Sequence, residues 1–214
     1  MKLNKFYNRD YFFSTGKLNE DFYCRKDVIK IAKELIGKIL VTCFNKKITA
    51  VRIVETEAYN GVIDKASHAY NATRTARTEL MYAKGGAAYV YLCYGIHHLF
   101  NVVTNEKDIP HAILVRAGEP LYGFEKMMQR TAKEKLDFAI TKGPGNLSRA
   151  LGITTAYTGE NLLGNTIFIA DDGYKIAPKN IIATPRIGVA YAQEDALLPY
   201  RFYVKDNPFV SGKK

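Results

Sequence analysis

The run Arg52-Ile-Val-Glu-Thr-Glu-Ala-Tyr59 places two carboxylates two residues apart, with a tyrosine two residues further on. In an extended chain Val51, Ile53, Glu55, Glu57 and Tyr59 share one face. Val51 and Ile53 aim that face at an apolar interior, and both carboxylates go with it. A carboxylate there is costly unless it is paired or employed, so Glu55 and Glu57 are candidates for moving a proton or steadying a cation. The other reading has the strand leaving the core by Glu55, with both groups solvated. Arg116 closes the apolar run Ala112–Ala117. If that run is buried the guanidinium needs an acid, and Glu55 and Glu57 are on offer; otherwise it is a surface Arg at a strand end. In Tyr89-Val-Tyr91-Leu-Cys-Tyr94-Gly95, Tyr89 and Tyr91 fall on one face and Tyr94 on the other, beside a glycine that lets the chain turn. An aromatic at a hairpin tip near positive charge suits stacking on bases or wedging between them. Packing all three rings in the core is the alternative.

Other chemistries leave no mark. His97 and His98 are adjacent, and no H-x-x-x-H or C-x-x-C occurs, so no metal site and no cofactor is expected. G-x-x-x-x-G-K-[ST], G-x-G-x-x-G and G-x-S-x-G are absent as well. Lys and Arg number 31 against 21 Asp and Glu, a net charge of +10, which attracts polyanions such as DNA or RNA or an anionic small substrate. No block of five basic residues exists, so a basic face must be assembled by folding. At 214 residues, 47% hydrophobic and 24% charged, the chain can bury a core and is not broadly disordered. The ten residues from Ala87 to Ile96 are too short a run to span a bilayer, and the N-terminus has no unbroken apolar region. Three cysteines, an odd number, point to a reducing compartment.

The elements that must hold these residues can be read in outline. Asp27 caps a helix with Val28, Ile31, Ala32, Leu35 and Ile36 on one face, stopped by Gly37. Ile39–Cys43 and Ile48–Tyr59 form a hairpin about Asn45-Lys46-Lys47. Residues 60–87 read as a long irregular stretch, of the kind that is functional or disordered. Strands follow at Tyr89–Tyr94, Phe100–Thr104 and Ala112–Ala117. A helix is expected from Leu121 to about Lys135, and a short one through Leu151 with Asn146 as its cap. Late strands are expected at Thr166–Ala170, Ile187–Ala192 and Phe202–Lys205. The result is an α+β chain: one compact domain, 21–214, around a mostly antiparallel curved sheet with flanking helices and a protruding hairpin, preceded by an arm, 1–20, of open role.

The runs RIVETEAY, TARTELMY, GGAAYVYLCYG, ILVRAGEP, GPGNLSRALGI, TPRIGVAYA and LPYRFYV, with His68 and Asn101 between them, together resemble the alkyladenine (3-methyladenine) DNA glycosylase family from about residue 22 onward. The resemblance implies a monofunctional glycosylase that flips alkylated or deaminated purines from double-stranded DNA. Glu57 would activate water, and Arg116 and the backbone carbonyl of Ile187 would hold it. Tyr59, His68 and Tyr91 would line the base slot, Asn101 would discourage normal guanine, and Tyr94 would fill the duplex. No membrane and no partner subunit are implied; the location would be the bacterial cytoplasm or a eukaryotic nucleus. Lesion preference is expected to be set near Ile96, His97, His98 and Leu99. A non-catalytic nucleic-acid-binding protein on the same scaffold is the alternative, and an enzyme for an anionic small molecule a third.

Overall fold

The computed structural model describes residues 7–212, so the first six residues of the expected arm lie outside it. The arm that is described contains α1 (Arg9–Ser14) and the short strand β1 (Gly16–Lys17); α2 (Glu20–Tyr23) and α3 (Val28–Leu35) follow. Helix α3 forms as its sequence dictates. The Asp27 carboxylate accepts the Lys30 N–H at 2.9 Å, and Val28, Ile31, Ala32 and Leu35 are buried. The hairpin of β2 (Ile39–Phe44) and β3 (Lys47–Tyr59) turns at Asn45 and Lys46, both at positive φ, as a two-residue turn between twisted strands requires.

Strand β3 is the spine of the site. One edge pairs with β6 (His111–Tyr122) along nearly its whole length. The other edge is shared: β2 takes Lys47–Arg52, and β9 (Arg201–Val204) takes Glu55–Glu57. At the handover the β3–β6 register slips between Ile53 and Glu55 and again between Glu55 and Thr56. This bulge reverses the alternation read from the sequence. Val51 and Ile53 face the main core, but beyond the slip that role passes to Ala58, with Thr56 donating its hydroxyl to Ala32 O of α3. Glu55, Glu57 and Tyr59 therefore share a face, as expected, but it is the face opposite Val51 and Ile53.

The sheet is curled and antiparallel, in the order β1-β7-β2-β3-β6-β5-β4, where β4 is Ala88–Cys93, β5 His97–Thr104 and β7 Ile167–Asp171; β8 (Ile181–Thr184) extends it beyond β9. The main core joins one face to α3, α4 (Phe124–Thr131) and α5 (Pro144–Leu151). On the other face Phe12 of α1 covers Ile39, Val41, Ile48, Ala50, Phe168 and Ala170.

Three local expectations change. Leu121 and Tyr122 still belong to β6, and the helix starts only after Gly123 at φ +81. Helix α5 begins with Pro144 at its first turn, so Asn146 lies within it and donates to Lys142 O instead of capping. The expected strand Ile187–Ala192 is irregular backbone running into 3-10 turns over Ala190–Leu197, because Val189 and Ala192 pack on Ala66 rather than pairing in the sheet. Residues 60–87 are irregular, as expected: three 3-10 turns and tight loops whose Ala69, Met81 and Tyr82 pack on Tyr89, Val103 and Ala112.

Candidate active site

The irregular segments 60–87 and 186–200 face each other across the concave end of the sheet and enclose a cavity of about 390 Å³. Tyr59, His68, Tyr91, Leu99, Asn101, Arg116 and Ile187 line it, with Tyr94 at its rim. Glu57 sits directly beneath, fully buried. Its Oε2 accepts from Tyr59 Oη at 2.9 Å and from Arg116 Nη1 at 3.2 Å, and its Oε1 accepts the Ile187 N–H at 2.8 Å. All three donors belong to residues that line the cavity. The structural contact of Ile187 with Glu57 is thus through its N–H.

Glu55, one pleat away, is equally buried but differently engaged. Its Oε1 accepts from Arg116 Nε at 3.0 Å, Arg201 Nε at 2.7 Å and Ser211 Oγ at 3.0 Å, and its Oε2 accepts the Ser211 N–H at 2.7 Å. A carboxylate with so many donors serves as an anchor; Glu57 is the one beside the cavity. Burial works to lower the Arg116 pKa, but Glu57 and Glu55 more than offset it, so the guanidinium stays charged. Burial, and then the negative Glu57, push the Tyr59 hydroxyl well above its usual range, so it remains a proton donor to the carboxylate.

The walls are aromatic. The guanidinium of Arg186 lies over the Tyr59 ring, 4.9 Å from its centroid. Arg186 is itself buried, paired with Asp64 and bonded to Ala58 O at 2.9 Å, which pins the 186–189 segment to the end of β3 and so sets the Ile187 N–H at Glu57. Opposite, His68 meets Tyr91 edge-on at 4.7 Å, and its Nδ1 bonds Tyr89 Oη at 3.0 Å. Burial, helped by Arg77, pushes the His68 pKa down to about 4, so the ring is neutral at physiological pH. Arg77 Nη2 donates to His68 Nε2 at 3.3 Å, which places the ring proton on Nδ1, and the same guanidinium lies 5.3 Å from the Tyr91 centroid. Asn101 donates through Nδ2 to Tyr89 O at 3.1 Å and Leu99 O at 3.2 Å, leaving its carbonyl oxygen as the free end.

Tyr94 is the opposite kind of residue. It is 89% exposed at the tip of the β4–β5 hairpin, at φ +50 and next to Gly95 at φ +71. A bulky side chain in left-handed backbone is rare and costs about 1–3 kcal/mol, a strain that concentrates at working sites. Of the residues expected to tune specificity, only Leu99 lines this cavity. Ile96, His97 and His98 border a separate cleft with Arg130 and Arg149.

The structure therefore gathers Glu57, Arg116, Ile187, Tyr59, His68, Tyr91 and Asn101 about one cavity and sets Tyr94 at its edge. Sequence reasoning missed Asp64, Arg186, Arg77 and Ser211. The first two are 122 residues apart and pair only through the fold; Arg77 stood inside a quoted run without a role, and Ser211 carried no signal. Among the described residues no three His, Cys, Asp or Glu side chains gather as a metal site, and no helix is long and apolar enough to cross a membrane.

The curled antiparallel sheet thus ends in an aromatic cavity over a buried carboxylate, with an exposed ring at its rim. A model of the methylpurine-DNA glycosylase (MPG) family matches residues 21–208. The chain belongs to this family, DNA-binding hydrolases of base excision repair. A protein of Chlamydia pneumoniae is 46% identical over 197 residues, covering 92% of this chain and 98% of its own. One from Clostridium perfringens strain 13 is 44% identical over 207 residues, covering 92% and 100%. A third, from Desulfitobacterium hafniense strain Y51, is 41% identical over 204 residues, covering 92% and 99%. All three are named, provisionally, 3-methyladenine DNA glycosylase.

Proposed function

We propose that this chain is a monofunctional glycosylase that extrudes an alkylated or deaminated purine from duplex DNA and hydrolyses its N-glycosidic bond with a water activated by Glu57, leaving an abasic site. The observation that carries this reading is Glu57 itself: a fully buried carboxylate under an aromatic cavity, held by three donors. As the glycosidic bond stretches, positive charge grows on the sugar. A carboxylate below it steadies that charge and takes the proton of the incoming water. Arg116 and the Ile187 carbonyl hold that water. Tyr59 and Tyr91 offer stacking faces, which a base made cationic by alkylation prefers, and a neutral His68 adds no repulsion there. Entry of the base displaces Arg77 from Tyr91. Asn101 crowds the 2-amino group of normal guanine. Tyr94 takes the space of the extruded nucleotide, and the net charge of +10 meets the phosphates. The protein acts as a monomer where the cell keeps its DNA.

The test is base release. Protein incubated with methylated duplex DNA should free methylated purines and leave alkali-sensitive sites in an otherwise intact strand. Tight binding of damaged duplex without base release would instead favour a non-catalytic DNA-binding protein on this scaffold.

A further inference from the structure

Ser211 lies beyond the residues that the family model matches, three positions past their end. It is nevertheless buried inside the charge network. Its hydroxyl reaches two groups: Glu55 Oε1 at 3.0 Å and Arg116 Nη2 at 3.2 Å. A guanidinium can only donate, so it must use the oxygen's lone pair, and the single hydroxyl proton goes to Glu55. The orientation of that hydroxyl is thus fully determined. Arg116 is held at three corners: Nε on Glu55, Nη1 on Glu57 and Nη2 on Ser211. The Ser211 backbone adds an N–H to Glu55 Oε2 at 2.7 Å, and its carbonyl accepts from Arg201.

The next residue packs against a donor to the other carboxylate, Glu57. Gly212 has φ +76, and a Cβ there would come within 2.5 Å of Ile187 Cδ1, so the tail backbone is packed against the residue whose N–H holds Glu57 Oε1. Phe209 and Val210, both buried in the main core, anchor the tail that delivers these two residues. We infer that the C-terminal pair Ser211–Gly212 is a clamp that positions both Arg116 and Ile187, and through them Glu57, with Ser211 a positioning residue for base excision.

The inference rests on Glu57 being the group that acts on water. Its test is single-turnover excision from a duplex carrying one lesion, with lesion affinity and thermal melting measured on the same preparations. Ser211→Ala leaves Arg116 Nη2 without a partner and Glu55 one donor short. The excision rate constant at saturating enzyme should fall on the order of 10- to 100-fold, the cost of small misplacement in an active site, with lesion affinity within about twofold. Ser211→Thr, which keeps the hydroxyl, should recover most of the rate. Should Ser211→Ala fail to fold, Ser211→Cys keeps the volume, weakens both bonds and carries the same expectation. A Ser211→Ala or Ser211→Cys rate within twofold of wild type overturns the clamp, as does a loss confined to affinity or to the fraction of folded protein. Glu57→Gln run alongside separates the two claims. If it excises at the wild-type rate, the water-activation reading fails. If it is inactive while Ser211→Ala is unimpaired, only the clamp does.

Discussion

At the floor of the cavity every charge has a partner: Glu55 and Glu57 take seven hydrogen bonds from Tyr59, Arg116, Ile187, Arg201 and Ser211, all in buried or half-buried positions. At the hairpin tip Tyr94 has almost nothing. It is exposed, its backbone is strained, and a Cβ at the neighbouring Gly95 would meet no atom within 4 Å. The floor is over-determined, as a site must be if it is to present groups to a transition state without rearranging. The tip is free of the fold, as a part must be if it is to leave water and enter a duplex. One region should therefore be intolerant of change for both fold and chemistry, and the other for DNA binding alone.

The sharpest way to break that contrast is to remove the charge at the centre of the floor. Arg116→Met keeps the bulk but leaves Glu57 buried without its cation, a change that costs about 3–5 kcal/mol. For a chain of this size the melting temperature should fall on the order of ten degrees, and excision should be lost with it. A variant that melts like the wild type would show that the floor is less tightly coupled than its geometry implies.

At the tip the expected effects are smaller and differently distributed. Tyr94→Ala should weaken lesion-specific binding by about 1–3 kcal/mol, the worth of one base-stacking aromatic, while the melting temperature stays within about one degree. Tyr94→Asn, a side chain at ease in left-handed backbone, should melt no lower than wild type. A large melting drop in either, with binding unchanged, would make Tyr94 a packing residue.

The smallest effect concerns His68 in the wall. Its folded pKa of about 4 lies below the 6.5 of a free imidazole, so between those values the unfolded chain binds more protons than the folded one. The stability linked to neutral His68 is therefore fully present above about pH 6.5 and is lost as the pH falls towards 4. His68→Gln should flatten that part of the acid limb in melting experiments run from pH 7 to pH 4. An unchanged limb would mean that His68 does not titrate as its burial requires.

Much of this was legible in the residues. The α3 cap at Asp27, the Asn45-Lys46 turn and the exposed hairpin tip at Tyr94-Gly95 follow from local preferences that the fold leaves intact, although Tyr94 stands in the turn beyond Cys93, at φ +50, and not on a strand face. The shared face of Glu55, Glu57 and Tyr59 was also readable, but not which face it was. Alternation carries no sign of a bulge, and the slip at Ile53–Glu55 appears only when β9 takes over from β2 along the same edge. Leu121 and Tyr122 continued a strand because Gly123, not the start of the apolar spacing, sets the helix boundary. Ile187–Ala192 alternates like a strand yet is held by Arg186 and Asp64, a pairing that no local pattern encodes. The part played by Ser211 is illegible for the same reason: it reaches Glu55 from 156 residues away.

On the proposed function the floor does the chemistry and the tip only holds the DNA. Single-turnover excision by Glu57→Gln, measured beside its affinity for the same lesion duplex, tests it most directly. The glutamine keeps the shape of the side chain but cannot take a proton from water. The rate should fall on the order of 10²- to 10⁴-fold, the usual worth of a general base, while lesion affinity stays near wild type. Excision at an undiminished rate, or a loss of affinity that accounts for the whole defect, would contradict it.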